Sequence, residues 1–67
     1  MREEETFELL RRRQTLTQTR SRLKRDLVRE ASRPDRNHRT LHDMAEEIQT
    51  CDGLLAGVKE QLRPLIH

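Results

Sequence analysis

Apolar side chains recur through the second half of the chain at Leu41, Met44, Ile48, Cys51, Leu55, Val58, Leu62 and Leu65. The steps between them alternate three and four without a gap. An α-helix turns once in about 3.6 residues, so this spacing holds all eight on one side of a helix. The mean step of about 3.5 is the coiled-coil period, which keeps such a stripe against a neighbour along its whole length. Asp43, Glu46, Glu47, Gln49, Asp52, Lys59, Glu60 and Gln61 fall between the stripe positions and suit the solvent face. Pro64 closes the helix, since proline has no N–H to donate and disfavours helix in the residue before it. A helix with one apolar stripe cannot stand alone, so a packing partner is required.

The first half supplies it. Leu9, Leu16 and Leu23 recur every seven residues, Leu27 follows four further on, and Thr19 and Arg20 fill an intermediate level. This stripe is thinner and wetter than that of the second helix. Arg13 and Arg20 lie beside it, where their methylenes can cover apolar surface with the guanidinium in water. Glu3, Glu4, Glu5 and Glu8 cluster at the start, where carboxylates favour the positive end of the helix dipole. The Thr-rich residues 14–21 have mediocre helix propensity and need tertiary contact to stay helical.

The pattern breaks at residues 31–37. Ser32 followed by Asp35 resembles a capping box with Asp in place of Glu, and Pro34 is tolerated in a first helical turn. A short turn between two long amphipathic helices forces them antiparallel. The predicted fold is all-α: a two-helix antiparallel hairpin, coiled-coil-like, with helices over roughly 4–31 and 34–63, forming one domain over 1–67. If Leu27 faces Leu41, then Leu23 faces Met44 or Ala45, Leu16 faces Cys51 or Asp52, and Leu9 faces Val58.

Composition sets limits on this fold. At 67 residues, with no Trp or Tyr and one Phe, the chain can bury only a small core. Charged residues make up 39% and hydrophobic ones 31%, a balance near that of disordered chains, but the unbroken periodicity argues for order. The longest apolar stretch, residues 54–58, is too short to span a bilayer. Glu3, Glu4 and Glu5 sit where the apolar segment of a signal peptide would begin. Cys51 lies on the seam and reads as a small buried hydrophobe, not half of a disulfide. A reducing, cytoplasmic location is expected.

Charge divides unevenly. Residues 1–39 carry 12 Lys and Arg against 7 acids, a net of +5, while residues 40–67 carry 2 against 5, a net of −3. A basic helix beside an acidic one favours the hairpin, though each exposed ion pair is worth only about 0–1 kcal/mol. The arginines invite a nucleic-acid reading. No aromatic residue is interleaved for base stacking, no recognition spacing is present, and Asp26, Glu30 and Asp35 interrupt the run. A solvated Arg-rich face is the preferred reading, and neither a nucleic-acid nor a membrane partner is expected.

Little else carries chemistry. His38 and His42 stand one turn apart, as two zinc ligands would, but no third ligand is evident. No nucleophile–base arrangement, phosphate loop or converging carboxylate pair is visible, and two helices enclose no cleft in which to dehydrate a reaction. Neither enzymatic activity, a metal nor a cofactor is expected. What remains is surface. Phe7, Leu10, Gln14, Thr17, Ser21 and Val28 form a second stripe on the first helix, apolar at its ends and small and polar at its centre. Gly53 and Gly57 stand one turn apart on the second helix, with Leu54 beside the seam. Each mid-helix Gly costs about 1 kcal/mol relative to Ala, so either something approaches that backbone closely or the surface tolerates both. Phe7, Leu10, Thr17, Val28, Gly53, Leu54 and Gly57 are the candidate partner-binding residues.

The run Leu23-Lys24-Arg25-Asp26-Leu27-Val28-Arg29, the short turn and the seam through Leu55 resemble the small co-chaperones of type III secretion needle subunits, the YscE/PscE type. The resemblance covers roughly residues 15–62 and rests mostly on size and architecture. The arginines around the turn and Pro34 depart from the small, Gly-containing turn expected of that family. The resemblance implies a bacterial cytoplasmic protein that binds a larger chaperone of tetratricopeptide-like helical repeats. That chaperone in turn holds the needle subunit and prevents premature polymerisation, in a heterotrimer. A homodimer of the free chain is compatible with this reading. Readings from other classes are a small basic nucleic-acid-binding regulator and a generic coiled-coil assembly subunit.

Overall fold

The structure, a computed structural model, describes residues 2–65. It is a hairpin of two helices, α1 (Arg2–Ala31) and α2 (His38–Leu62), packed against each other in a rod 52 × 16 × 14 Å. The all-α antiparallel hairpin expected from the periodicity is what forms.

The core belongs to α2. Ile48, Cys51, Leu55, Val58 and Leu62 are buried, at 3–8% exposure, and all five lie on the expected seam. Leu41, Met44 and Leu65, at its two ends, are half-buried. On α1, Leu9, Leu16, Thr19, Arg20, Leu23 and Leu27 are half-buried, while Arg13 stays exposed. No described residue of α1 is as well covered as the α2 core, which fits its sparser stripe.

The turn departs from expectation. Helix α2 begins at His38, four residues later than the expected 34, and Ser32 and Asp35 do not cap it. Asn37 does so instead: it sits in the extended region (φ −101, ψ 120) and its Oδ1 accepts from the Arg39 N–H at 2.9 Å. Ser32 is already engaged by the preceding helix. Its hydroxyl donates to the Val28 carbonyl at 2.8 Å, and its N–H reaches the same oxygen at 3.0 Å. Asp35 turns to Arg33 at 3.5 Å. Pro34 therefore lies in the connection outside α2 rather than in its first turn, and it disfavours helix at Arg33, so α1 stops just before it. The far end behaves as expected. Helix α2 stops at Leu62 ahead of Pro64, and the Leu65 N–H closes a last tight turn onto the Leu62 carbonyl at 2.9 Å.

The later start also moves the register. Arg20 and Asp52 are joined across the hairpin in a hydrogen-bonded ion pair. Antiparallel pairing at that level puts Leu23 beside the turn of Ile48, Leu16 beside Leu55, Leu9 beside Leu62 and Leu27 beside Ala45. Each is about one helical turn along α2 from the expected position. The slide keeps every leucine on an apolar partner, because the α2 stripe offers an apolar side chain every three or four residues.

With so few buried side chains, each matters. Leu55→Ala should cost about 2–5 kcal/mol in urea unfolding, while Glu46→Ala, at an exposed site, should cost under about 0.5 kcal/mol. Equal midpoints for the two variants would contradict the seam.

Candidate functional site

The seven candidate partner-binding residues do not form one surface. At about 100° per residue, Leu10, Thr17 and Val28 lie roughly 100–120° to one side of the α1 seam, with Phe7 at the back. Leu54 and Gly57 lie roughly 80–150° to the other side of the α2 seam, with Gly53 toward the back. In an antiparallel hairpin those two sides are opposite flanks. The Arg20–Asp52 pair bridges the first flank, the one that carries Leu10, Thr17 and Val28.

The first flank is unevenly exposed. Phe7 and Val28 stand in solvent at 69% and 66% exposure. Leu10 is half-buried although it lies well off the seam. The Thr17 hydroxyl donates to the Arg13 carbonyl at 2.8 Å and is satisfied within its own helix.

The second flank is a trough. Gly53, Leu54 and Gly57 on α2 and Arg12 and Leu16 on α1 line an open groove of about 540 Å³ at mid-length. A second stretch, about 780 Å³, continues it to the open end of the hairpin, lined by Glu5, Glu8, Leu9 and Thr15 among others. The two share Arg12, Leu16 and Gln61, so they are one trough. Leu54 is 55% exposed on its wall. A Cβ added at Gly53 or at Gly57 meets nothing within 4 Å, so no part of this chain requires glycine there. Sequence reasoning missed Arg12 and Leu16 as trough residues. The signal was present in the angular offsets of the two helices, read jointly.

The histidines do not converge on a metal. The His42 Nε2 lies 2.9 Å from Glu46 Oε1, a turn further along α2, in a pair open to solvent. Among the described residues no group of three or more His, Cys, Asp or Glu is gathered closely enough to hold an ion. Cys51 is a free thiol buried in the seam. Among the described residues no helix is long and apolar enough to cross a membrane.

The molecule leaves much of itself uncovered. Its accessible surface is 5808 Å², where the scaling for compact monomers of 8.1 kDa gives roughly 4,500 Å². The excess follows from the rod shape and from a core made by one helix.

Since Gly57 faces open space, Gly57→Ala should stabilise the hairpin by about 1 kcal/mol in urea melts of dilute protein. A loss of stability would mean that the trough is tighter than this geometry.

Compared with protein-family models, curated proteins and solved structures, the chain matches none.

Proposed function

We propose that this chain is a non-enzymatic co-chaperone that docks on a larger helical-repeat chaperone and stabilises it, in the manner of the needle-subunit co-chaperones of type III secretion. The observation that carries this reading is an under-covered 52 Å hairpin with Phe7, Val28 and Leu54 in solvent. A small domain of this kind gains stability when it docks, and its apolar side chains cover the core of the partner in return. The run from Leu23 to Arg29 and the hairpin architecture support the choice of family. On this reading the chain works in the bacterial cytoplasm, needs no cofactor, and reaches the needle subunit through the larger chaperone.

A second reading is supported by the exposed Arg11, Arg22, Arg25 and Arg29, which run along α1 between its trough side and its back. Such a line attracts polyanions. The hairpin lacks the stacking residues that would add sequence-tolerant affinity beyond charge. Binding to duplex DNA is therefore expected to be weak and to vanish by physiological salt in a gel-shift titration. Salt-resistant binding would reverse the ranking of the two readings.

Co-purification of the untagged chain from its native cytoplasm tests the first reading. A helical-repeat protein of modest size supports it, and nucleic acid supports the second. Val28→Glu and Gly57→Glu then probe the two flanks separately. At least one should abolish capture of the larger chaperone with circular dichroism unchanged, because a charge desolvated without a partner costs several kcal/mol. If both variants bind like wild type, the interface lies elsewhere, along the arginine-rich face of α1.

A further inference from the structure

The trough between Arg12 and Leu16 on one side and Gly53, Leu54 and Gly57 on the other has a shape and a charge pattern that one occupant fits. We infer that a second copy of this chain packs into it, antiparallel and two-fold related, to make a four-helix dimer. The inference goes beyond the co-chaperone reading and does not depend on it.

Three observations select this occupant. The first is position. The glycines and Leu54 lie level with Leu16, the midpoint of α1, so a two-fold axis there overlaps the two rods along their full length. With the axis level with Leu55, Gly53 of one copy lies level with Gly57 of the other, and Leu54 reaches toward the space that Gly57 leaves open.

The second is area. One flank of a rod 52 Å long and 14–16 Å wide projects roughly 800 Å², which is what each partner contributes to a standard stable interface. In an isologous pairing the same flank serves both partners, so one flank of this size accounts for the whole interface.

The third is charge. Glu8, Thr15, Arg22 and Arg29 recur every seven residues along α1, a line that drifts about 20° per repeat on a straight helix. Glu8 and Thr15 line the trough toward the open end, and Arg22 and Arg29 carry the same line toward the turn. Antiparallel pairing brings Glu8 of one copy within about a turn of Arg29 of the other, twice per dimer. A parallel pairing would crowd both acidic N-terminal turns at one end and both arginine-rich turns at the other. The charges select the antiparallel arrangement.

Light scattering on the purified full chain, with the mass followed as concentration is raised, tests the inference. The expected mass is about 16 kDa, twice the chain's 8.1 kDa, at tens of micromolar and above. Leu54→Glu and Gly57→Glu should each return it to monomer with helicity retained, since both sites face open space in the single hairpin. Val28→Glu, on the opposite flank, should leave the dimer intact. Glu8→Arg and Arg29→Glu should each weaken it several-fold, and the double swap in one chain should restore it, because the reversed charges meet again across the axis. A wild-type chain still monomeric at about 100 µM overturns the inference and leaves the trough to a helix of another protein. A dimer that both trough variants leave unchanged, or a double swap no better than the single ones, overturns it as well.

Discussion

The continuous apolar seam of α2 is the constraint on which everything else depends. It is complete enough to specify a long helix, and too apolar on one side to be left in water. Helix α1 is ordered because that seam needs cover. Its thin leucine ladder, Thr-rich centre and half-buried Arg20 show a helix whose own sequence gives it little claim to a core. The result is a lopsided two-layer fold, in which one partner supplies the buried side chains and the other mainly shields them. Two helices laid side by side cannot enclose anything, and so the remaining flanks stay open.

Much of this was legible in the chain, and the failures have definite causes. The alternation of threes and fours fixed the existence, face and end of α2. The start of α2 reads four residues early in the sequence because Ser32 and Asp35 have the spacing of a capping box, while the cap is Asn37. Ser32 and Asp35 have the right types, but Ser32 is drawn back to the Val28 carbonyl and Asp35 to Arg33, which leaves Asn37 to hold the Arg39 amide. Sequence spacing does not reveal which carbonyl a serine will choose. The register was off by a turn for a related reason. A stripe with an apolar side chain every three or four residues matches the leucines almost as well after a slide of one turn, and the observed register is the one that also joins Arg20 to Asp52.

The candidate surface was legible in its parts and not in its grouping. Exposure of Phe7, Val28 and Leu54 follows from their distance from the seam. That the α1 stripe and the glycine pair lie on opposite flanks depends on the sense of both helical offsets together, which a reading of each helix alone does not give. Leu10 shows the opposite limit. A side chain far from the seam by angle can still be half-covered when its neighbours are long.

The connection at residues 32–37 has a consequence beyond geometry. Two helices that bury so little against each other remain paired because a short tether holds each in the vicinity of the other, at an effective concentration on the order of millimolar. The tether is exposed throughout and carries Arg36, a side chain that trypsin-like proteases recognise, whereas the bond after Arg33 leads into Pro34 and resists them. One cut there would leave every residue of the seam in place, yet the fold would become an association between two peptides that must find each other by diffusion. The hairpin as a single folding unit thus depends on six residues that lie outside its core.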